Sequence, residues 1–123
     1  MAGASRDELP LQEIAPGYSS RFEDWGGMTV AFEHATKGQD ASAMVKGLPD
    51  DRCQAHHWGY LFSGRVVVDY GDRNETIEAG QAYYIEPGHR ITFEEDSEAL
   101  EFTPTAELEA TFAAVRRNAA SSG

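Results

Sequence analysis

From Met28 to Phe102 the chain is cut by turn signals about every ten residues, and that punctuation limits the fold more than any other feature. The runs between the breaks are short and rich in β-branched and aromatic residues. They read MTVAFEH (28–34), ASAMV (41–45), HWGYLF (57–62), RVVVDY (65–70), ETIEA (75–79), QAYYI (81–85), ITF (91–93) and ALEF (99–102). KGQD, KGLPDD, Ser63-Gly64, GDRN, Gly80 and EPGH supply turns or loops between them. No helical pattern is interleaved with these runs, which excludes a parallel α/β sheet. The pattern predicts an all-β chain, an antiparallel sandwich or barrel.

The flanks differ. Residues 1–20 are polar and broken by Pro10, Pro16 and Gly17, and read as a flexible arm or one ordered by docking on a neighbour. Residues 21–118 form the single folded unit, including a C-terminal helix. Thr103 suits its cap and Pro104 its first position, while Leu108, Phe112 and Val115 recur at helical spacing. Arg116 and Arg117 fall where a helix dipole favours positive charge. That helix is expected to pack on the outside of the barrel. Residues 119–123 read as a disordered tail.

Charge and composition narrow the function. A net charge of −11 on 123 residues repels phosphate backbones and anionic lipid, so nucleic-acid and membrane-surface roles are not expected. No apolar run approaches the roughly 20 residues that span a bilayer, and the first residues have no apolar signal core. The single cysteine cannot form an intramolecular disulfide, which fits a reducing, cytoplasmic setting. No phosphate loop, nucleotide fingerprint or nucleophile elbow is present.

The stretch RCQAHHWGYLFSG (52–64) concentrates that cysteine and two of the four histidines within five positions, directly ahead of a strand. Together with GQAYYIEPGH (80–89), it resembles the cupin superfamily over about residues 47–103, and in particular a group of small single-domain cupins. Cupins carry two motifs, H-x-H, three or four residues, E, six residues, G, and G, five residues, P-x-G, two residues, H. With Gly64 as anchor, the glutamate position falls on His57. The two histidine positions fall on Asp51 and Cys53, or on Asp50 and Arg52 with the longer spacer. With Gly80 as anchor, the proline position is Glu86, the second glycine is Gly88 and the histidine position is Ile91, with His89 two residues early. The resemblance implies a jelly-roll barrel. Its usual three-histidine, one-glutamate metal set does not carry over, because none of the four positions holds the expected residue.

Strand alternation selects among the candidates. If His57 points inward, so do Gly59 and Leu61, while His56, Trp58, Tyr60 and Phe62 point outward. Continued backward, the same parity puts Cys53 inside, and His89 shares the inward parity of Ile91 and Phe93. Cys53, His57 and His89 are therefore the candidate ligands of a divalent metal, zinc or iron. Their ordinary roles are a small buried thiol, a hydrogen-bonded core histidine and a turn histidine. Glu86, close to His89, and Tyr84, or its neighbour Tyr83, are candidates for acid–base work. Asp51, His56 and His34 have simpler readings as loop or surface residues.

Two functions follow. One is a small metalloenzyme acting on a small polar molecule; the other is a metal-free binding barrel that holds such a ligand with histidines and tyrosines. Metal binding is expected to weaken as pH falls through about 6, where free histidine protonates. Trp58, Tyr60 and Phe62 on one outward face predict a homodimer, unless the segment around Phe22 and Trp25 covers them.

Overall fold

The computed structural model describes residues 3–122, with side chains through Asn118. Nine strands are present among the described residues: β1 Leu11–Ala15, β2 Tyr18–Trp25, β3 Met28–Ala35, β4 His57–Ser63, β5 Arg65–Asp69, β6 Asn74–Glu78, β7 Ala82–Ile85, β8 Arg90–Phe93 and β9 Ser97–Pro104. One helix follows, α1 Thr105–Ser122. The strands form a six-stranded sheet in the order β1-β2-β3-β9-β4-β7 and a three-stranded sheet in the order β6-β5-β8. Every pairing is antiparallel. Leu61, Val66, Val68, Ile77 and Ile85 join the two sheets through one apolar core, giving a jelly-roll barrel.

The predicted strands sit where the turn signals put them, with two exceptions. ASAMV is not a strand. Ala41–Val45 is a 3-10 turn, begun by the Asp40 side chain accepting the Ser42 N–H at 2.9 Å. Residues 11–20, expected to be a flexible arm, lie in β1 and β2 instead. β2 pairs with β3 along its whole length, from Tyr18↔Ala35 to Trp25↔Met28. The turn between them is Gly26-Gly27, both at positive φ (67° and 92°), as a tight two-residue hairpin demands. Met1, Ala2 and Gly123 lie outside the described residues.

The helix also departs from expectation. Thr103 is the penultimate residue of β9, not a cap, and α1 begins at Thr105. Its backbone runs to Ser122, through most of the stretch read as a disordered tail. The Thr105 hydroxyl meets that of Thr29 at 2.8 Å, and the Thr105 N–H donates to the Gly27 carbonyl at 2.9 Å. Ala114 is buried, Phe112 packs on Phe22 with ring centroids 5.4 Å apart, and the Asn118 amide donates to the Met44 carbonyl at 2.8 Å. The helix does not lie on the barrel's outer wall. Leu108, Thr111, Phe112 and Val115 line the interior cavity, so α1 covers the open end. It is not long and apolar enough to cross a membrane.

Candidate metal centre

Two chain segments fix the site before any side chain is placed. Cys53 and His89 form an isolated antiparallel bridge, with the Cys53 N–H on the His89 carbonyl at 2.9 Å and the Gly88 N–H on the Cys53 carbonyl at 2.8 Å. Gly88 takes φ 92°, a conformation other residues adopt at a cost, and that bend brings His89 back toward Cys53. His57 opens β4 four residues after Cys53. Alternation along β4 follows the sequence reading. His57 and Leu61 are buried, whereas Trp58, Tyr60 and Phe62 are exposed.

Cys53, His57 and His89 meet inside the barrel. One ligand atom from each lies within 4.8 Å of the others, and all three residues are buried. The Cys53 Sγ is 3.8 Å from His57 Nε2 and 3.3 Å from Thr111 Oγ1 of α1. The two imidazole rings meet edge-on at 4.9 Å. Each ring is oriented by its far nitrogen. His89 Nδ1 is 2.7 Å from the Glu86 carbonyl, which can only accept, so Nδ1 carries the proton and Nε2 is left bare. His57 Nδ1 lies 2.7 Å from the Thr103 hydroxyl and 3.2 Å from Glu101 Oε2, which turns Nε2 toward the thiol.

Burial sets the protonation. It lowers both histidines to about 4, so both imidazoles are neutral at neutral pH. Burial also raises the Cys53 thiol, which stays protonated unless a cation draws the proton off. The expected weakening of metal binding near pH 6 rested on ordinary histidines. Here the competing proton at neutral pH is the thiol's.

The donor set fits a divalent ion of the zinc type. With Zn–S near 2.3 Å and Zn–N near 2.0–2.1 Å, a tetrahedral ion separates S and N by about 3.6 Å, and the observed Sγ–Nε2 distance is 3.8 Å. Three protein ligands leave one position open.

Behind His57 lies a second polar group. Glu33 of β3 and Glu101 of β9 are diagonal neighbours on paired strands, each perturbing the other, and sharing a proton between them would relieve two buried charges. Burial raises both carboxyls, Glu33 well above the usual range. The Tyr83 hydroxyl donates to Glu101 at 2.8 Å and the Tyr18 hydroxyl to Glu33 at 3.5 Å. Gly59 makes room for this arrangement. A Cβ there would stand 2.5 Å from the Tyr83 ring and from the Leu100 carbonyl.

Glu86 and Tyr84, the candidates for acid–base work, are not in the cavity. The Glu86 carboxylate is exposed and paired with Arg73 at 3.0 Å; only its carbonyl meets the site. Tyr84 alternates outward and stacks on Trp58 at 5.2 Å, and Tyr83 takes the inward place. Asp51 accepts the Gly47 N–H in a surface turn, Ile91 packs on the core, and His56 is outside against Glu107.

The sequence reading missed Glu33, Glu101, Tyr18 and Thr103. A signal existed for two of them. Glu33 shares parity with Thr29 and Ala31, and Glu101 with Ala99 and Thr103, all lining the cavity. It was masked because the opposite faces of β3 and β9 carry Val30, Phe32, Leu100 and Phe102. Neither strand therefore shows a clean polar side.

The barrel matches solved structures over most of its length. A protein of unknown function from Rhizobium leguminosarum superposes with a TM-score of 0.61 at 17% identity, covering 84% of this chain and 95% of that one. An RmlC-like cupin from Shewanella frigidimarina gives 0.61 at 12% identity, covering 85% and 91%. This chain has the cupin fold. The FeII form of HppE superposes on this chain with a TM-score of 0.60 at 11% identity, and the match covers 84% of this chain but only 60% of HppE. No protein-family model and no curated protein matches the sequence.

Proposed function

We propose that this cupin is a small metal-dependent enzyme whose Cys53, His57 and His89 hold one divalent ion and whose cavity takes a small polar molecule. The carrying observation is that one ligand atom each from Cys53, His57 and His89 lies within 4.8 Å of the others, with the Cys53 Sγ–His57 Nε2 distance of 3.8 Å close to that across a tetrahedral zinc. Zinc there supplies Lewis acidity or a hydroxide, whereas iron, the metal named with the FeII HppE neighbour, supplies dioxygen chemistry. The chain's own contribution is distinct from either. Thr103 and Glu101 hold His57 in one tautomer, the Glu86 carbonyl holds His89 in the same one, and α1 covers the mouth against water. In the same reading, two copies meet over the exposed outer face of β4 and β7.

The test is elemental analysis of untagged protein loaded with excess zinc or ferrous iron and then desalted. About one equivalent per chain is expected. Retention below about one tenth of an equivalent of either metal sinks the metal reading, and a metal-free binding barrel takes its place.

A further inference from the structure

The cavity between the sheets and α1 has a volume of about 130 Å³. A dry cavity of about 150 Å³ accommodates benzene, so this one suits a ligand slightly smaller than that ring. Most of the wall is apolar, with Ala31, Leu61, Ile85, Ile91, Phe93 and Phe112 among its residues. Its polar features are unequal. The Tyr83 and Tyr18 hydroxyls already donate to Glu101 and Glu33, and Thr103 already meets His57. Apart from the Ser20 hydroxyl, what remains facing the space is acceptor capacity. Glu33 and Glu101 answer each other, and among the described residues the pair receives from outside only Tyr83 at 2.8 Å, His57 Nδ1 at 3.2 Å and a 3.5 Å contact from Tyr18, fewer than the lone pairs that two carboxyl groups offer.

No cation among the lining residues answers that capacity. Arg90 is the one arginine or lysine there, and its guanidinium is held on exposed carbonyls of Asp51 at 3.1 Å and Asp50 at 3.4 Å. Of the three candidate ligands only His57 reaches it, with Nδ1 3.2 Å from Glu101 Oε2. Glu101 meets Nδ1 of His57, whereas Cys53 meets Nε2, so the carboxyl pair and the ligand cluster stand on opposite sides of the ring. An anionic ligand brings only further acceptors, and an alcohol brings a single donor. A protonated amine brings three donors, and its positive charge favours the ionised form of the pair that burial otherwise disfavours.

We propose that the cavity selects a small organic amine, with its apolar body against the aliphatic wall and its ammonium head on Glu33 and Glu101. This rests on the reading of the cavity as a small-molecule site and names the ligand class for it. The flanking Tyr18 and Tyr83 rings add faces of the kind that attract such a cation.

The experiment titrates the full chain, metal-stripped and zinc-loaded, with isobutylamine, isobutanol and isobutyrate, read by amide chemical shifts. Isobutylamine is expected to bind saturably in the millimolar range, with shifts at Ala31, Glu33 and Glu101. Isobutanol should bind at least about tenfold more weakly, and isobutyrate not at all. Glu33→Gln should weaken the amine about tenfold while leaving zinc content unchanged. If that variant does not fold, the three-probe comparison in wild type decides alone. Isobutanol or isobutyrate binding as well as the amine, no binding by any probe, or a folded Glu33→Gln that binds the amine like wild type would each overturn the proposal. Zinc retained with no preference for the amine removes only the ligand class. An amine preference in a chain that retains no zinc removes only the metal reading.

Discussion

His56 and His57 are adjacent, and each sets its Nδ1 against a glutamate, yet they belong to different worlds. His56 faces out. It bonds Glu107 of α1 at 2.7 Å, and its ring stacks beside Trp58 and Tyr84 at 5.9 and 6.2 Å. His57 faces in, is 6% exposed, and is held by Thr103 and Glu101. One step along a strand moves a side chain from solvent to the barrel interior. Outside, a histidine–glutamate contact fastens a helix to a strand, and such half-exposed pairs contribute little. Inside, burial keeps the imidazole neutral and its second nitrogen bare.

The largest contrast is expected in metal retention. His57→Ala should cut the zinc held after desalting by about 100-fold or more, while His56→Ala leaves it at the wild-type level. Circular dichroism should show both variants folded, because Leu61, Val66, Val68, Ile77 and Ile85 make the core without either histidine. Equal losses in the two variants would erase the distinction between the faces.

Removing α1 converts part of the inner face into an outer one. A chain ending at Pro104 exposes the residues that Leu108, Phe112 and Val115 cover. At about 1.5–3 kcal/mol for each fully buried side chain, the loss should exceed about 3 kcal/mol even though these are only partly buried. The melting temperature should then fall by about 10 °C or more. An unchanged value would show that the helix contributes nothing to closure.

Acid sharpens the comparison further. Between pH 6.5 and pH 4 the unfolded chain protonates His57 and His89, but the folded chain, with both near 4, does not. Stability from these two groups is therefore full above 6.5 and lost as pH falls, at about 3 kcal/mol per histidine over the whole window. Glu33 and Glu101 act in the opposite sense. Their raised folded values mean the native state holds protons that the unfolded chain releases above about 4.5, so their cost grows as pH rises. Metal-free Glu33→Gln/Glu101→Gln protein should therefore lose stability more steeply than wild type from pH 7 to pH 4 in urea unfolding. A shallower loss would mean the carboxyl pair is not protonated inside the barrel.

The smallest effect concerns the outer face itself. Trp58, Tyr60, Phe62 and Tyr84 are 40–50% exposed, and the segment around Phe22 and Trp25 does not cover them, since Phe22 turns inward onto Phe112. Wild type is expected to sediment as a dimer at micromolar concentration and Trp58→Asp as a monomer, with monomer stability changed by less than about 1 kcal/mol. A monomeric wild type would leave this face without a partner.

Much of this was legible in the residues alone. Turn chemistry delimited β3 to β9, because Gly, Pro, Asn and Asp break a strand wherever they fall. Period-two alternation carried Cys53, His57 and His89 to one side, since Cβ direction along a strand is a covalent property. Tertiary structure decided the rest. YSSRFEDW reads as polar, yet it is β2, because a strand is held by backbone bonds to its neighbour as much as by its side chains. Thr103 reads as a helix cap, yet its hydroxyl orients His57, 46 residues away in the chain. Glu33 and Glu101 stand on strands far apart in the sequence, and nothing local singles them out. They face each other only because β3 pairs with β9, and no local pattern encodes that partnership. Composition could not show which end of the barrel α1 would close. That was settled by which apolar surface the finished barrel left uncovered.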